Sequence, residues 1–261
     1  MKLKKVIIGS TLAATILGGL GAQTVQAAEY PSATEAKSEG KVTFTEGGPE
    51  IVDPTDPDIP IVPVDPTDPT NPTKPINPGK ADLMIQYVSD FDFGTHSNSL
   101  KALKANAKPD YAFALDAQGD RTGDLYAVPS FVSTKDVRAE RKGWELTVTA
   151  SKFTSTKGTE LKGAEVTLKD LTYNTPTNPI GTAPIAATGN KVLTPATETT
   201  VATAGDNSGI GSWSLGMGAL SADEKAVEGV ELNIPQNSLK ENDTYKATFD
   251  WELKADPTVA P

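Results

Sequence analysis

A single histidine, His96, and the complete lack of cysteine limit the chemistry open to this 261-residue chain. Without sulfur there is no thiol nucleophile, thiolate metal site, disulfide framework or lipid-bearing cysteine. A Ser-His-Asp arrangement would have to run through His96, which lies in FGTHSNS beside Ser97 and Ser99, but no G-x-S-x-G elbow accompanies it. Carboxylates are plentiful, and a glycosidase needs only two at a suitable separation, yet no spacing singles out a pair. Asp90 with Asp92, or Asp120 with Asp124, could offer oxygen ligands to calcium, but neither run follows an EF-hand pattern. The expectation is a protein that is not an enzyme, with no catalytic residue, metal site or cofactor.

Two other groups of residues could contact a ligand. All three tryptophans occur as W-x-L triplets: Trp144-Glu145-Leu146, Trp213-Ser214-Leu215 and Trp251-Glu252-Leu253. An exposed indole can stack on the apolar face of a sugar, whereas an indole on the apolar side of a strand belongs to a core. Trp144 and Trp251 both fall on the apolar side of an alternating run, so both readings stand at this point. The second group is Lys135, Arg138, Arg141 and Lys142, a basic cluster suited to phosphate or carboxylate and diluted by Asp136 and Glu140. It stands out because the chain is acidic, with a formal net charge of −10 and a pI near 4.7. That balance disfavours nucleic acid and anionic lipid as partners.

The elements that must position these groups are β-strands. Tyr245, Ala247, Phe249, Trp251 and Leu253 alternate with Lys246, Thr248, Asp250, Glu252 and Lys254, which gives one apolar and one wet face. Similar patterns cover 144–148, 166–168 and 230–234, with weaker strand signals over 83–93, 111–115, 125–132 and 191–202. The helical competitors are short: 99–107, rich in Lys and Ala, and 221–227, opened by the capping-box sequence SADE. Short strands without intervening amphipathic helices predict an all-β, two-sheet antiparallel sandwich, Ig-like or jelly-roll-like, over residues 81–261.

Upstream of that domain the composition changes. Lys2, Lys4 and Lys5, an apolar stretch and the small-residue site Val25-Gln26-Ala27 read as a secretory signal peptide over 1–27, cleaved after Ala27. Cleavage takes the net charge to −13, since the segment holds three lysines and no acid. Prolines 54, 57, 60, 63, 66, 69, 72, 75 and 78 recur at every third residue, the repeat of a polyproline II helix. Fully extended, Pro54 to Pro78 would reach roughly 75 Å at about 3.1 Å per residue, an acidic spacer arm. Before it, KVTFTE (41–46) alternates as one isolated strand that should fray or join a sheet edge. The closing LKADPTVAP carries no apolar tail and no LPxTG-type signal, so the expectation is an exported protein without membrane insertion, released or held non-covalently outside the cell.

The run YKATFDWELKADP, with Tyr245, Phe249, Trp251, Leu253 and Pro257, resembles the distal motif of the WxL-domain surface proteins of low-GC Gram-positive bacteria. GWELTV around Trp144 is similar to the proximal motif, and FDFGTH (91–96), ELKGAEVTL (160–168) and GVELNIP (229–235) fit the same pattern. Phe249 and Asp250 depart from it, standing where an aliphatic residue and Thr are usual. The resemblance implies a cell-wall-associated protein that binds peptidoglycan non-covalently, often in a complex with WxL-interacting proteins and a sortase-anchored companion. It also implies that Trp144, Leu146, Tyr245, Trp251 and Leu253 belong to the wall-binding motif.

Overall fold

The computed structural model describes residues 29–65 and 76–255. The signal-peptide segment and Pro66, Pro69, Pro72 and Pro75 therefore lie outside the described residues. The chain divides at Thr45 into two units. In the first, β1 (Glu29–Ser32) and β2 (Glu35–Lys37) form an antiparallel hairpin. The strand expected at 41–46 is absent, and Val42 and Phe44 are exposed. Two apolar side chains on four alternating residues bury too little surface to hold a strand without a partner.

From Glu46 onward the unit is all-β, with no helix among the described residues. Its strands are β3 (Ile61–Val64), β4 (Leu83–Val88), β5 (Leu103–Ala107), β6 (Asp110–Leu115), β7 (Arg121–Val128), β8 (Phe131–Asp136) and β9 (Trp144–Ala150). There follow β10 (Thr154–Ser155), β11 (Glu165–Leu168), β12 (Leu171–Tyr173), β13 (Ile185–Ala186), β14 (Lys191–Leu193) and β15 (Glu198–Ala204). The last are β16 (Gly211–Met217), β17 (Val227–Ile234), β18 (Tyr245–Lys246) and β19 (Phe249–Ala255).

Every strand pairing is antiparallel, as expected for a sandwich. The principal sheets run β13-β15-β9-β19, β12-β16-β8-β4 and β14-β11-β17-β5, with a smaller β3-β6-β7 sheet and a β10-β18 ribbon. The first three share one apolar core: Leu146 and Val148, Val132 and Leu215, and Leu168 and Leu232 all belong to it. A second, smaller core of Ile51, Ile61, Tyr87, Ala112, Val128 and Phe131 joins the β3-β6-β7 sheet to the strands around β8. Val132 faces one core and Phe131 the other, which is why all six residues of β8 are buried. The sandwich thus has an extra cover on one sheet.

That cover is built from the start of the proline row. Pro54 and Pro63 are buried, and Ile61–Val64 pair with β6 as an edge strand, where a proline lacking its N–H is tolerated. Ser214 Oγ donates to Val52 O, and Gln86, fully buried, is bonded to Glu50 N and Glu50 O. The expected arm therefore does not start at Pro54, and the compact unit starts at 46 rather than 81. The period of three made these prolines look uniform, but Ile59, Ile61 and Val64 carry the apolar surface that a solvated spacer would lack.

Neither helical competitor forms. LKANA within 99–107 is strand β5, with Ala105 and Ala107 inward and Lys104 and Asn106 outward. Ser221 opens a turn: its Oγ accepts from Lys225 N and Ala226 N, and Glu224 takes a positive φ of 55° that ends any helical course.

Candidate functional site

The proximal and distal W-x-L triplets lie on paired strands. In the β9–β19 ladder Val148 faces Trp251, Leu146 faces Leu253 and Trp144 faces Ala255. Residues opposite one another in a ladder point the same way, so both triplets supply one face of one sheet, and that face is turned to the core. β9 is an inner strand and β19 is the outer edge of its sheet.

Position in the sheet decides exposure. Trp144 and Leu146 are fully buried at 0% exposure, whereas Tyr245, Trp251 and Leu253 pack on the core but remain half-buried. Trp144 and Leu146 present no surface to solvent and pack into the core side of the sheet. Two glycines flank the packing of Trp144, Gly143 by admitting the Ala204 backbone and Gly209 by admitting the indole itself. Gly143 has a φ of +81°, and a Cβ there would lie 2.0 Å from Ala204 O. Gly209, at +67°, sits against the indole, with Trp144 Nε1 2.9 Å from where its Cβ would be. That Nε1 is buried with no hydrogen-bond partner, so the indole is held by packing alone. The third triplet belongs to a different sheet: Trp213, on β16, is buried, donates from Nε1 to Ile210 O at 2.9 Å and meets Tyr173 edge-on.

The expected basic cluster is dispersed by the fold. Lys135 is 3% exposed, and its Nζ donates to Gly48 O at 2.8 Å and pairs with Glu50. Arg138 is spent on Asp136, through Nε and Nη2, and on Gly143 O. Arg141 and Lys142 are exposed, and Lys142 pairs with Glu140 at 3.5 Å. Two of the four cations are thus structural clamps: Lys135 because it lies on a strand buried on both faces, and Arg138 because it pairs with the buried Asp136 at that strand's end. His96 is exposed and its Nε2 bonds Phe93 O at 2.7 Å. Among the described residues no three His, Asp or Glu side chains converge on a point that could hold a metal ion.

Two depressions flank β19. The smaller, about 440 Å³, lies between Phe249–Trp251 and Ile85–Val88, where β19 and β4 present the edges of their sheets. The larger, about 730 Å³, lies between the loop that follows β4 and the 240–249 segment. Phe91, Phe93, Phe153 and Phe249 form its aromatic base, Phe91 meeting Phe249 edge-on at 5.0 Å between centroids. Tyr245 also lines it, and its hydroxyl accepts from Glu241 N at 2.8 Å. Sequence reasoning set out from the tryptophans and missed this cleft, although the alternation of Phe91 and Phe93 in FDFG was its signal.

Paired motif strands sharing one apolar face are the arrangement that a motif of two distant parts requires. A family model for the WxL domain, described as surface cell wall-binding, matches residues 31–257. The chain belongs to the WxL family. No curated protein and no solved structure matches it. The WxL assignment covers nearly the whole chain, and it gives the protein a cell-wall-binding domain at the cell surface.

Proposed function

We propose that this WxL protein is an exported, non-enzymatic surface protein that binds peptidoglycan non-covalently through the unit beginning at Glu46. The observation that carries the reading is the family match over residues 31–257. The signal-peptide pattern at 1–27 accords with it. In this reading Trp144 and Leu146 set the sheet, while the strand carrying Tyr245, Trp251 and Leu253 borders the contact surface. WxL-interacting proteins and a sortase-anchored companion are the proposed partners in a surface complex. The deciding experiment is sedimentation of residues 28–261 with purified, protein-free sacculi. Saturable binding is expected, and its absence overturns the proposal.

A second reading has its own observation. The free outer edge of β19 and the adjacent depression suit strand addition by a protein partner. Sacculi that retain the protein only after surface proteins are restored would favour that adhesin or assembly role.

A further inference from the structure

The larger cleft combines an apolar base with unspent positive charge. Four lysines and three acids surround it: Lys101, Lys108, Lys240 and Lys246 against Asp92, Glu241 and Asp243. The acids are all engaged. Asp92 pairs with Lys108 at 2.7 Å and accepts from Gly94 N, Asp243 accepts from Thr156 Oγ1 at 2.6 Å, and Glu241 accepts from Thr159 Oγ1 at 3.0 Å. Lys240 is engaged too, donating to Ser99 O at 2.7 Å. Lys101 and Lys246 are exposed, and neither ammonium group has a hydrogen-bond or ion-pair partner among the described residues.

Asp243 and Glu241 keep their charge on these neutral threonine hydroxyls, so the four lysines and three acids leave the cleft a net charge of +1, which in a chain of net charge −10 favours an anionic ligand at Lys101 and Lys246. The base adds a second requirement. Phe91, Phe93 and Phe249 are half-buried, and their exposed parts offer carbon surface to methyl groups or to the apolar face of a sugar ring. The walls are held from both sides: Asn98 Nδ2 donates to Lys240 O at 2.9 Å and to Asn242 Oδ1 at 3.0 Å, tying the loop to the opposite segment. A cleft fixed in this way loses little conformational freedom on binding.

We propose that this cleft is the ligand contact of the domain, taking a carboxylate-bearing glycopeptide fragment of the wall, with carbon surface on Phe91, Phe93 and Phe249 and carboxylates on Lys101 and Lys246. The inference rests on the wall-binding reading above and names its site and ligand class. Phosphate polymers of the wall carry the same sign of charge but little of the carbon surface that the base would cover.

The test uses residues 28–261, a soluble disaccharide-peptide released from purified peptidoglycan, poly(glycerol phosphate), and an uncharged N-acetylglucosamine oligomer. Calorimetry is expected to show saturable binding of the disaccharide-peptide, weakened about tenfold or more by the Lys101→Ala, Lys246→Ala double substitution. The two lysines are exposed, so the variant should melt with the parent protein, and melting is measured alongside. Phe93→Ala should weaken both the disaccharide-peptide and the neutral oligomer, whereas the double substitution should affect only the charged ligand. An unchanged affinity in the double variant, or tighter binding of poly(glycerol phosphate), overturns the proposal. Binding to intact sacculi with no binding of the disaccharide-peptide also overturns it while leaving wall binding in place. Failure of the unaltered protein to bind sacculi removes the wall-binding reading itself.

Discussion

Strands β9 and β19 carry the same tripeptide, pair with one another and present the same face to the core, yet Trp144 is fully buried and Trp251 is not. The sequence pattern is shared; the number of neighbours in the sheet is not. β9 has a strand on each side, and β19 has one. A tryptophan within a motif can therefore be sealed in the core on one strand and partly open to solvent on the next. The residues that differ between the two strands follow the same logic. Gly209 clears space for the Trp144 indole, while Tyr245 and Phe249 lead from the distal triplet into the aromatic cleft.

Substitution breaks this comparison in graded steps. Trp144→Ala should cost about 3–5 kcal/mol, the range for deleting a buried large aromatic, and abolish folding and sacculus binding together; thermal unfolding reads it. Gly143→Ala should cost at least about 1–3 kcal/mol from backbone strain alone, with the clash against Ala204 O added, again visible in the melting temperature. Trp251→Ala should cost less, about 1–2 kcal/mol in proportion to its partial burial, and leave a folded protein. If that folded protein no longer binds sacculi, Trp251 is itself a contact and the difference between β9 and β19 widens; if it binds as before, Trp251 is scaffold like Trp144.

A smaller effect depends on pH. The Lys169 ammonium, then Lys104, holds the Glu231 carboxyl below its usual value of 4.5. A carboxyl with a lowered value in the folded state stabilises above the unfolded value, and that stability disappears as pH falls from near 4.5 through the folded value. Glu231→Gln should therefore lower the melting temperature at pH 7 by the equivalent of less than about 1 kcal/mol and flatten its acid dependence. The smallest expected effect is that of Arg141→Ala with Lys142→Ala, within about 0.5 kcal/mol because both side chains are exposed, and without change in sacculus binding because neither lines the proposed cleft. A marked loss of binding there would restore the basic cluster as a contact.

The strands most legible in the sequence are those with one wet face, where polar and apolar residues must alternate. β9, β11, β17 and β19 are of this kind, and so is β5, whose alanines gave it a helical look. Strands covered on both faces lose the signal. β16 reads Gly-Ser-Trp-Ser-Leu-Gly-Met, apolar residues alternating with small ones, because Ser214 and Gly216 must fit under Val52 and Pro54. β8 runs Phe131-Val-Ser-Thr-Lys-Asp136 and is buried throughout, so Lys135 looked like a surface cation. Its partner, Gly48 O, lies 87 residues away in the sequence, beyond any local pattern.

Residue type and spacing within one element are enough to specify the all-β class, the lack of thiol groups and the two motifs. Which tryptophan is sealed, which lysines are spent, and that the first prolines of the row cover a sheet are set by long-range packing. Those outcomes depend on what lies across a sheet or at its edge, and exposure is a property of neighbours brought together from distant parts of the chain. The cleft between Phe91 and Lys246 is of the same kind: its base and its free charges come from segments about 150 residues apart, and only the packing of β19 at a sheet edge leaves it open.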